Sequence, residues 1–216
     1  MRRTSAVVLA FGVLSAAAVP AAAQARFQIT PFGGGMIFAS DISDEFFIGD
    51  VGFSGQTLNN SIAFGAHGGL RFGQIAVEAT VAYAPATMVT FSEAEISDEV
   101  QLAVFSDQSV MILGANVLYY LPQSSPFVEI FLTGGGGIKR YSEEDPFGGW
   151  ESGESDPTFD VGAGLQLAVS PSLSVRIDLR DYISTFDPDG PDSDELATKG
   201  QNDILLGFGL TFHPGG

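Results

Sequence analysis

Residues 61–83 read SIAFGAHGGLRFGQIAVEATVAY. Apolar or small side chains occupy every second position from Ile62 to Phe72 and again from Ile75 to Tyr83. Because successive side chains of a β-strand point to opposite faces, this period of two predicts two strands, each with one apolar face. The Gly73-Gln74 dipeptide between them predicts a tight turn, so the segment is interpreted as a β-hairpin.

The same alternation recurs along the chain and predicts about eight strands. They cover residues 27–38, 61–72, 75–83, 111–121, 128–133, 159–169, 173–180 and 203–212. We expect strands of roughly 10–13 residues, enough for a tilted crossing of the apolar layer of a membrane. Pro31 lies in the first of them. Because proline has no N–H, we expect it at a strand start or at a bulge.

The connections between these strands alternate in length. Three are short turns, at 73–74, 122–125 and 170–172, and four are long loops, near 39–59, 84–107, 142–157 and 185–201. In a sheet that runs up and down, all short turns then lie at one end and all long loops at the other. This asymmetry is typical of outer-membrane barrels, which have short periplasmic turns and longer outer loops.

Charged residues occur in mid-strand, always on the face opposite the apolar one. They are Arg71, Glu78, Glu129, Arg176, Asp178 and Arg180. In a soluble sheet this face would be solvated, whereas in a membrane barrel it lines the lumen and the apolar face meets lipid. Small residues on the same face favour the cramped interior of a narrow barrel. They are Ala63, Gly65, Gly69, Ala76, Ala82, Gly114, Gly162, Gly164, Gly207 and Gly209.

The first 25 residues have the form of an export signal. Arg2-Arg3 provides a charged start, residues 6–19 are apolar, and Ala23-Gln24-Ala25 fits a cleavage site. We therefore expect residues 1–25 to be a signal peptide and residues 26–216 to form one domain. The alternative is an uncleaved membrane anchor, for which the apolar run is short.

Composition and motifs exclude several classes of function. The chain has no cysteine, so it forms neither disulfides nor Cys-ligated metal sites. Its formal net charge of −17 argues against nucleic-acid binding, which requires a basic face. Neither His67 nor His213 has Ser two positions later, and no Gly-x-Ser-x-Gly motif is present. The sequence therefore predicts no catalytic residues and no enzymatic activity.

Four segments resemble the small outer-membrane β-barrel family typified by the OmpA transmembrane domain. They are Asn116-Val117-Leu118-Tyr119-Tyr120, Pro126-Phe127-Val128, the run from Ser174 to Tyr182, and the run from Leu206 to Phe212. The last segment is similar to the aromatic-ended final strand that this family uses for barrel assembly. The resemblance covers most of residues 27–212.

The resemblance implies an all-β fold, a closed antiparallel up-and-down transmembrane barrel in a bacterial outer membrane. It implies a non-enzymatic, structural or surface-interaction role, with outer-membrane lipid and the barrel-assembly machinery as partners. A monomer without cofactor is expected. Two other functions remain open: a narrow, gated, porin-like channel, and a soluble periplasmic or secreted barrel that binds lipid in its interior.

The lumen charges allow two interpretations. Arg71, Arg176 and Arg180 can pair inside the barrel with Glu78, Glu129 and Asp178, because buried charges require partners. Such a network either fills the interior as a structural plug or acts as a gate. About eight strands leave little open lumen, which favours the plug.

Twenty of the 26 acidic residues fall in the four long loops. They form either a solvated, self-repelling surface or a binding site for a divalent cation. In the fourth loop, carboxylates recur around a glycine turn, which makes it the best calcium candidate. Its acidic residues are Asp187, Asp189, Asp192, Asp194 and Glu195.

We predict that Ca²⁺ raises the melting temperature of the detergent-solubilised protein if the fourth loop holds a specific site, since ligand binding to the folded state alone stabilises it. A variant with Asn at Asp187, Asp189, Asp192 and Asp194 should lose the shift. Thermal unfolding with Ca²⁺ or chelator measures it. If Na⁺ at equal ionic strength produces the same shift, the loops are only charged surface.

Overall fold

The computed structural model describes residues 25–40, 46–48, 51–93, 102–122, 125, 127–144, 150–151, 155–186 and 199–214. The expected signal peptide, apart from Ala25, and the calcium candidate at 187–195 lie outside these residues. No helix in the described ranges is long and apolar enough to cross a membrane.

The described residues contain eleven β-strands. They are β1 Arg26–Phe38, β2 Phe46–Ile48, β3 Val51–Leu58, β4 Ser61–Phe72, β5 Ile75–Glu93, β6 Leu102–Tyr120, β7 Val128–Glu144, β8 Trp150–Glu151, β9 Ser155–Ser170, β10 Leu173–Phe186 and β11 Lys199–Phe212.

Eight long strands form a closed antiparallel barrel. Each pairs with its neighbour in the order β1, β4, β5, β6, β7, β9, β10, β11, and β11 returns to pair with β1. The three short strands lie outside the ring: β2 pairs with β3, β3 with β5, and β8 with β7. The predicted eight-stranded, up-and-down barrel is confirmed.

The predicted strand length of 10–13 residues holds for β1 and β4, with 13 and 12 residues, but was wrong for the other six barrel strands, which contain 14 to 19. The predicted loop at 84–107 is largely a continuation of β5 and β6, which stay paired out to Ser92 and Leu102. The predicted loop at 39–59 contains β2 and β3, and the ends of the loops at 142–157 and 185–201 are also strand. Apolar alternation marks only the lipid-facing part of a strand, so it misses a paired extension beyond the membrane.

Pro31 lies inside β1, at neither a strand start nor a bulge, so that expectation was wrong. Its missing N–H falls where the pairing of β1 with β11 is interrupted, between Ile29↔Phe212 and Phe32↔Gly209, with no change of register. The Thr30 and Thr211 hydroxyls, 2.9 Å apart, bridge the two strands there. On its other side, Pro31 remains in register with Ala66 of β4.

Burial is inverted relative to a soluble protein. Large apolar side chains face outward along every barrel strand, and Phe64, Val117 and Leu179 each expose about half of their surface. Charged side chains such as Glu78, Arg176 and Arg180 are buried inside. An apolar exterior around a polar interior is the arrangement of a barrel embedded in lipid. It does not fit the soluble lipid-binding alternative.

Glycine is required at two places for different reasons. Gly73 has φ of +63° in the turn between β4 and β5, a backbone conformation that glycine adopts without strain. Gly164 faces the lumen, where a Cβ atom would lie 2.1 Å from the Phe131 ring. Small residues on the inner wall thus make room for large ones on a neighbouring strand.

We predict that Leu165→Arg, in mid-strand on the lipid-facing side, destabilises the folded barrel by about 2–4 kcal/mol, because it places a charge in hydrocarbon. Ser170→Arg is the control, because this exposed residue next to the β9–β10 turn should cost only about 0–1 kcal/mol. Denaturant unfolding in lipid vesicles measures both. Equal stability of the two variants would contradict the outward assignment.

Candidate functional site

The centre of the lumen holds four charged side chains, here called the central ion cluster: Glu78, Arg176, Asp178 and Arg180. Arg176 donates to both Glu78 oxygens, at 2.6 and 3.2 Å, and to both Asp178 oxygens, at 2.7 and 3.0 Å. Arg180 donates to Glu78 at 2.7 Å and to Asp178 at 3.3 Å. Two positive and two negative charges therefore neutralise one another.

Strand alternation and barrel order explain this arrangement. Arg176, Asp178 and Arg180 occupy successive inward positions of β10, whereas Glu78 lies on β5, four strands away in either direction around the ring. The Arg176–Glu78 ion pair therefore crosses the full diameter of the barrel. Both arginines are completely buried.

Polar and aromatic side chains enclose the central ion cluster. His67 Nδ1 lies 3.0 Å from the Thr80 hydroxyl and 3.5 Å from Glu78, and the imidazole stacks on Phe32 with ring centroids 4.5 Å apart. The Arg176 guanidinium lies over the Phe131 ring, 4.6 Å from its centroid. These contacts fill the space around the ion pairs and add a cation–π interaction.

A second ion pair lies nearer the short-turn end of the barrel. Arg71 donates to both Glu129 oxygens, at 2.8 and 2.7 Å, and its guanidinium lies 3.7 Å from the centroid of the Tyr120 ring. The Arg71 and Glu129 side chains are 18% and 36% exposed, so this pair is partly solvated. Geometry thus divides the six charged residues singled out from the sequence into one central cluster and one separate pair.

His213 lies just after β11 at this end. Its Nε2 is 3.0 Å from Gln166 Nε2 and 3.3 Å from the Ser174 hydroxyl. Partial burial, together with the positive charge of Arg71, lowers the pKa of His213 below its ordinary value. A neutral imidazole, able to accept a hydrogen bond from Gln166, is therefore expected at neutral pH.

A third polar layer, toward the long-loop end, was not anticipated. The Lys139 ammonium is fully buried; it forms an ion pair with Asp203 and donates to Gln201 at 3.0 Å. Tyr141 also donates to Gln201. Extending the alternation of Phe131 and Thr133 along β7 would have placed Lys139 and Tyr141 in the lumen, but the predicted strand ended at 133.

Apolar side chains fill the rest of this region, largely on the side formed by β1, β4, β5 and β6. Among the described residues, the buried cluster contains Phe32, Met36, Leu58, Ala63, Ala82, Ala84, Ala86, Val110, Ile112, Tyr141, Tyr182 and Leu205. The lumen therefore contains three polar layers, with apolar packing beside the outermost one.

Several acidic residues assigned to loops lie in strands instead. Asp156 is a buried inward-facing residue of β9, close enough to Lys139 to interact with it electrostatically. Glu93, Asp107, Glu143, Glu144 and Glu151 also belong to strands. The other fourteen, including the calcium candidates Asp187, Asp189, Asp192, Asp194 and Glu195, lie outside the described residues. Within the described ranges, no three His, Asp or Glu side chains converge as a metal site would require.

Comparison with known proteins identifies the same architecture. The fold is similar to Neisserial surface protein A (TM-score 0.57, 13% identity, covering 87% of this chain and 96% of that one). It is also similar to the outer membrane protein OprG from Pseudomonas aeruginosa (TM-score 0.55, 13% identity, covering 88% and 97%). No curated protein matches the sequence. At these identities the likeness concerns the fold alone.

A family assignment comes from the sequence itself. Residues 6–212 match the family described as outer membrane protein beta-barrel domain. The matched range includes every strand of the barrel. The apolar exterior and the closed ring of strands agree with a location in a bacterial outer membrane. The chain belongs to the outer membrane protein beta-barrel domain family.

Proposed function

We propose that this chain is a non-conducting outer-membrane barrel with a structural or surface-interaction role. One observation carries the proposal: the Arg176–Glu78 ion pair crosses the lumen at its centre, and both side chains are buried. Asp178 and Arg180 complete the central ion cluster on either side. An ion that entered this layer would have to displace paired charges.

The energetics favour a permanent plug. Removing one member of a buried ion pair costs about 3–5 kcal/mol, because it leaves an uncompensated charge away from water. In the central ion cluster each arginine contacts both carboxylates, so opening it disrupts several contacts at once. We propose no catalytic activity, since a neutral, hydrogen-bonded cluster of this kind presents no unpaired nucleophile or base.

The surface role is supported by the paired extension beyond the barrel wall. From Tyr83 to Glu93, β5 continues for roughly 30 Å along the strand at about 3.3 Å per residue, with β6 on one side and β3 pairing with the other. The segments beyond these strand ends, predicted to be loops, carry fourteen of the 26 acidic residues. A sheet extension that presents such acidic segments is suited to contact with other surfaces.

The partners proposed are the lipids of the outer membrane and the machinery that inserts barrels, with the protein acting as a monomer. Lipid contact is supported by the outward-facing apolar side chains, and insertion by the aromatic end of β11 at Phe212.

The rival function is a narrow gated channel. It is favoured by one observation: Arg180 contacts both Glu78 and Asp178 and could keep a partner while Arg176 moved.

We predict that the purified protein gives no steady current in planar lipid bilayers, because the central ion cluster blocks the lumen. Arg176→Ala combined with Arg180→Ala should open a small conductance, since it removes the two largest fully buried side chains from the centre of the lumen. Current recording measures the conductance. Heat-modifiability of the same samples, the difference in gel migration between unboiled and boiled protein, shows whether the barrel is folded, so an open barrel is distinguished from an unfolded one.

As a control, Arg71→Ala removes only the partly solvated pair and should leave the protein silent. Large, stable openings of the unaltered protein would overturn the plug and favour the gated channel.

We further predict that Arg176→Ala lowers the free energy of unfolding by about 3–5 kcal/mol, because Glu78 and Asp178 lose a buried partner. Arg71→Ala should cost less than about 2 kcal/mol, because its ion pair with Glu129 is partly exposed to water. Denaturant titration in vesicles measures both losses. Similar losses for the two variants would mean that the central ion cluster is no more important to stability than the Arg71–Glu129 ion pair.

A further inference from the structure

A polar depression opens on the outer wall of the barrel, beside β5 and β6. Its volume is about 340 Å³, at the lower end of the roughly 300–1,000 Å³ usual for ligand pockets. Ser61, Pro85, Ala86 and Gln108 contribute to its lining. Its other polar lining residues, here called the wall site, are Asn59, Asn60, Thr87, Asp107, Ser109 and Ser142, with the Tyr83 ring at one edge.

Strand alternation places most of this lining on the outer face of the barrel, with Ser61, Ala86 and Gln108 at inward positions. The inward positions of β5 are filled by three buried alanines at 82, 84 and 86, so the residues that alternate with them point outward. These are Tyr83, Pro85 and Thr87, which lie opposite Met111, Ser109 and Asp107 of β6. The small side chains of Pro85 and Ser109 leave the wall hollow where bulkier residues would fill it.

The wall site lies at the outer edge of the lipid-facing band. Along the β5–β6 pair, the apolar rung Val81↔Leu113 is followed by Tyr83↔Met111, and then by the polar rungs that line the depression. Val81 and Met111 are exposed, whereas the next outward residues on β6 are Ser109 and Asp107. A molecule in the wall site would therefore sit at the level of the lipid headgroups, on the long-loop side.

The rim of the wall site is held in place by the backbone. The Asn59 amide N–H donates to the Thr87 carbonyl at 3.0 Å, and Asn60 Oδ1 accepts from the Phe38 amide at 3.2 Å. The Tyr83 ring packs against Phe64, with centroids 5.3 Å apart. A ligand would thus meet groups that are already positioned, which reduces the entropic cost of binding.

The chemistry of the wall site matches a sugar. Amides and hydroxyls both donate and accept hydrogen bonds, and the Asp107 carboxylate accepts two or more, as the vicinal hydroxyls of a hexose require. The Tyr83 ring offers an apolar edge for the C–H groups of a pyranose. Among the described residues that line the depression there is no Lys, Arg or His. A phosphate or sulfate would therefore lack the cation that it usually needs.

We propose that the wall site binds a neutral hexose unit of a saccharide. Two sources supply this chemistry at the membrane surface: the sugar headgroup of lipopolysaccharide in the outer leaflet, and a soluble glycan. The proposal goes beyond the surface role described above and does not depend on the closed lumen, so either can fail without the other.

The test uses the full-length mature protein in phosphatidylcholine nanodiscs prepared without sugar-based detergent. One arm titrates dephosphorylated core oligosaccharide, free of lipid, and the other incorporates intact lipopolysaccharide. Side-chain amide NMR signals of Asn59 and Asn60 report occupancy. Saturable shifts in the first arm identify a soluble saccharide as sufficient, and shifts in the second arm alone identify the membrane-borne sugar. Either result supports the proposal, and inorganic phosphate should cause no shift.

Two variants assign the binding to the wall site. Asp107→Ala removes an exposed carboxylate without a structural contact and should weaken the affinity about tenfold or more, the loss of a charged hydrogen-bond acceptor. Thr87→Val combined with Ser109→Ala keeps the volume nearly unchanged and should weaken it in the same direction. Asn202→Ala, an exposed outward amide on β11, should leave the affinity within about twofold.

The proposal is overturned if neither arm shows saturable binding. It is equally overturned if lipopolysaccharide binds with the same affinity to the unaltered protein and to both wall-site variants, because acyl-chain contact then explains the binding. Heat-modifiability of each variant confirms that the barrel is folded before titration.

Discussion

The structure depends on the pairing of β1 with β11. In hydrocarbon no water is available for an unpaired backbone group, so a sheet can cross a membrane only when its two edges pair with each other. Ile29 and Phe212 open this seam at the short-turn end, and Phe38 and Asp203 close it at the other. Pro31 weakens the seam locally, and the Thr30 and Thr211 hydroxyls meet at that point.

Closure with only eight strands determines what the lumen can contain. The interior is just wide enough for side chains, so every inward position affects the positions opposite it. Gly164 is small because Phe131 is large, and the arginines of β10 reach Glu78 because the ring is only four strands across. Once these charges are buried, they must be paired, and the three polar layers follow from that requirement.

Much of this arrangement could be read from the sequence, and the failures have physical causes. The alternation in residues 61–83 predicted the hairpin and placed Glu78 on the polar face, and the small residues on that face favoured its inward orientation. It could not predict that Arg71 pairs with Glu129 rather than joining the central ion cluster, because partners across a lumen depend on strand stagger, which alternation does not contain. Lys139 was missed because the glycines at 134–137 interrupt the alternation before it. The outer halves of β5 and β6 were missed because, beyond the lipid, the outward face is no longer apolar and the pattern fades.

The Arg176–Glu78 pair also has a mechanical consequence. A thin-walled tube compressed from the side tends to flatten into an ellipse, and the lateral pressure of a bilayer acts on the barrel in this way. The Arg176–Glu78 pair joins β10 to β5 across one diameter and resists flattening along that direction. The perpendicular diameter joins β1 to β7, and no comparable ion pair among the described residues crosses it. The cross-section of this barrel should therefore be stiffer in one direction than in the other, so that breathing motions of the wall are anisotropic.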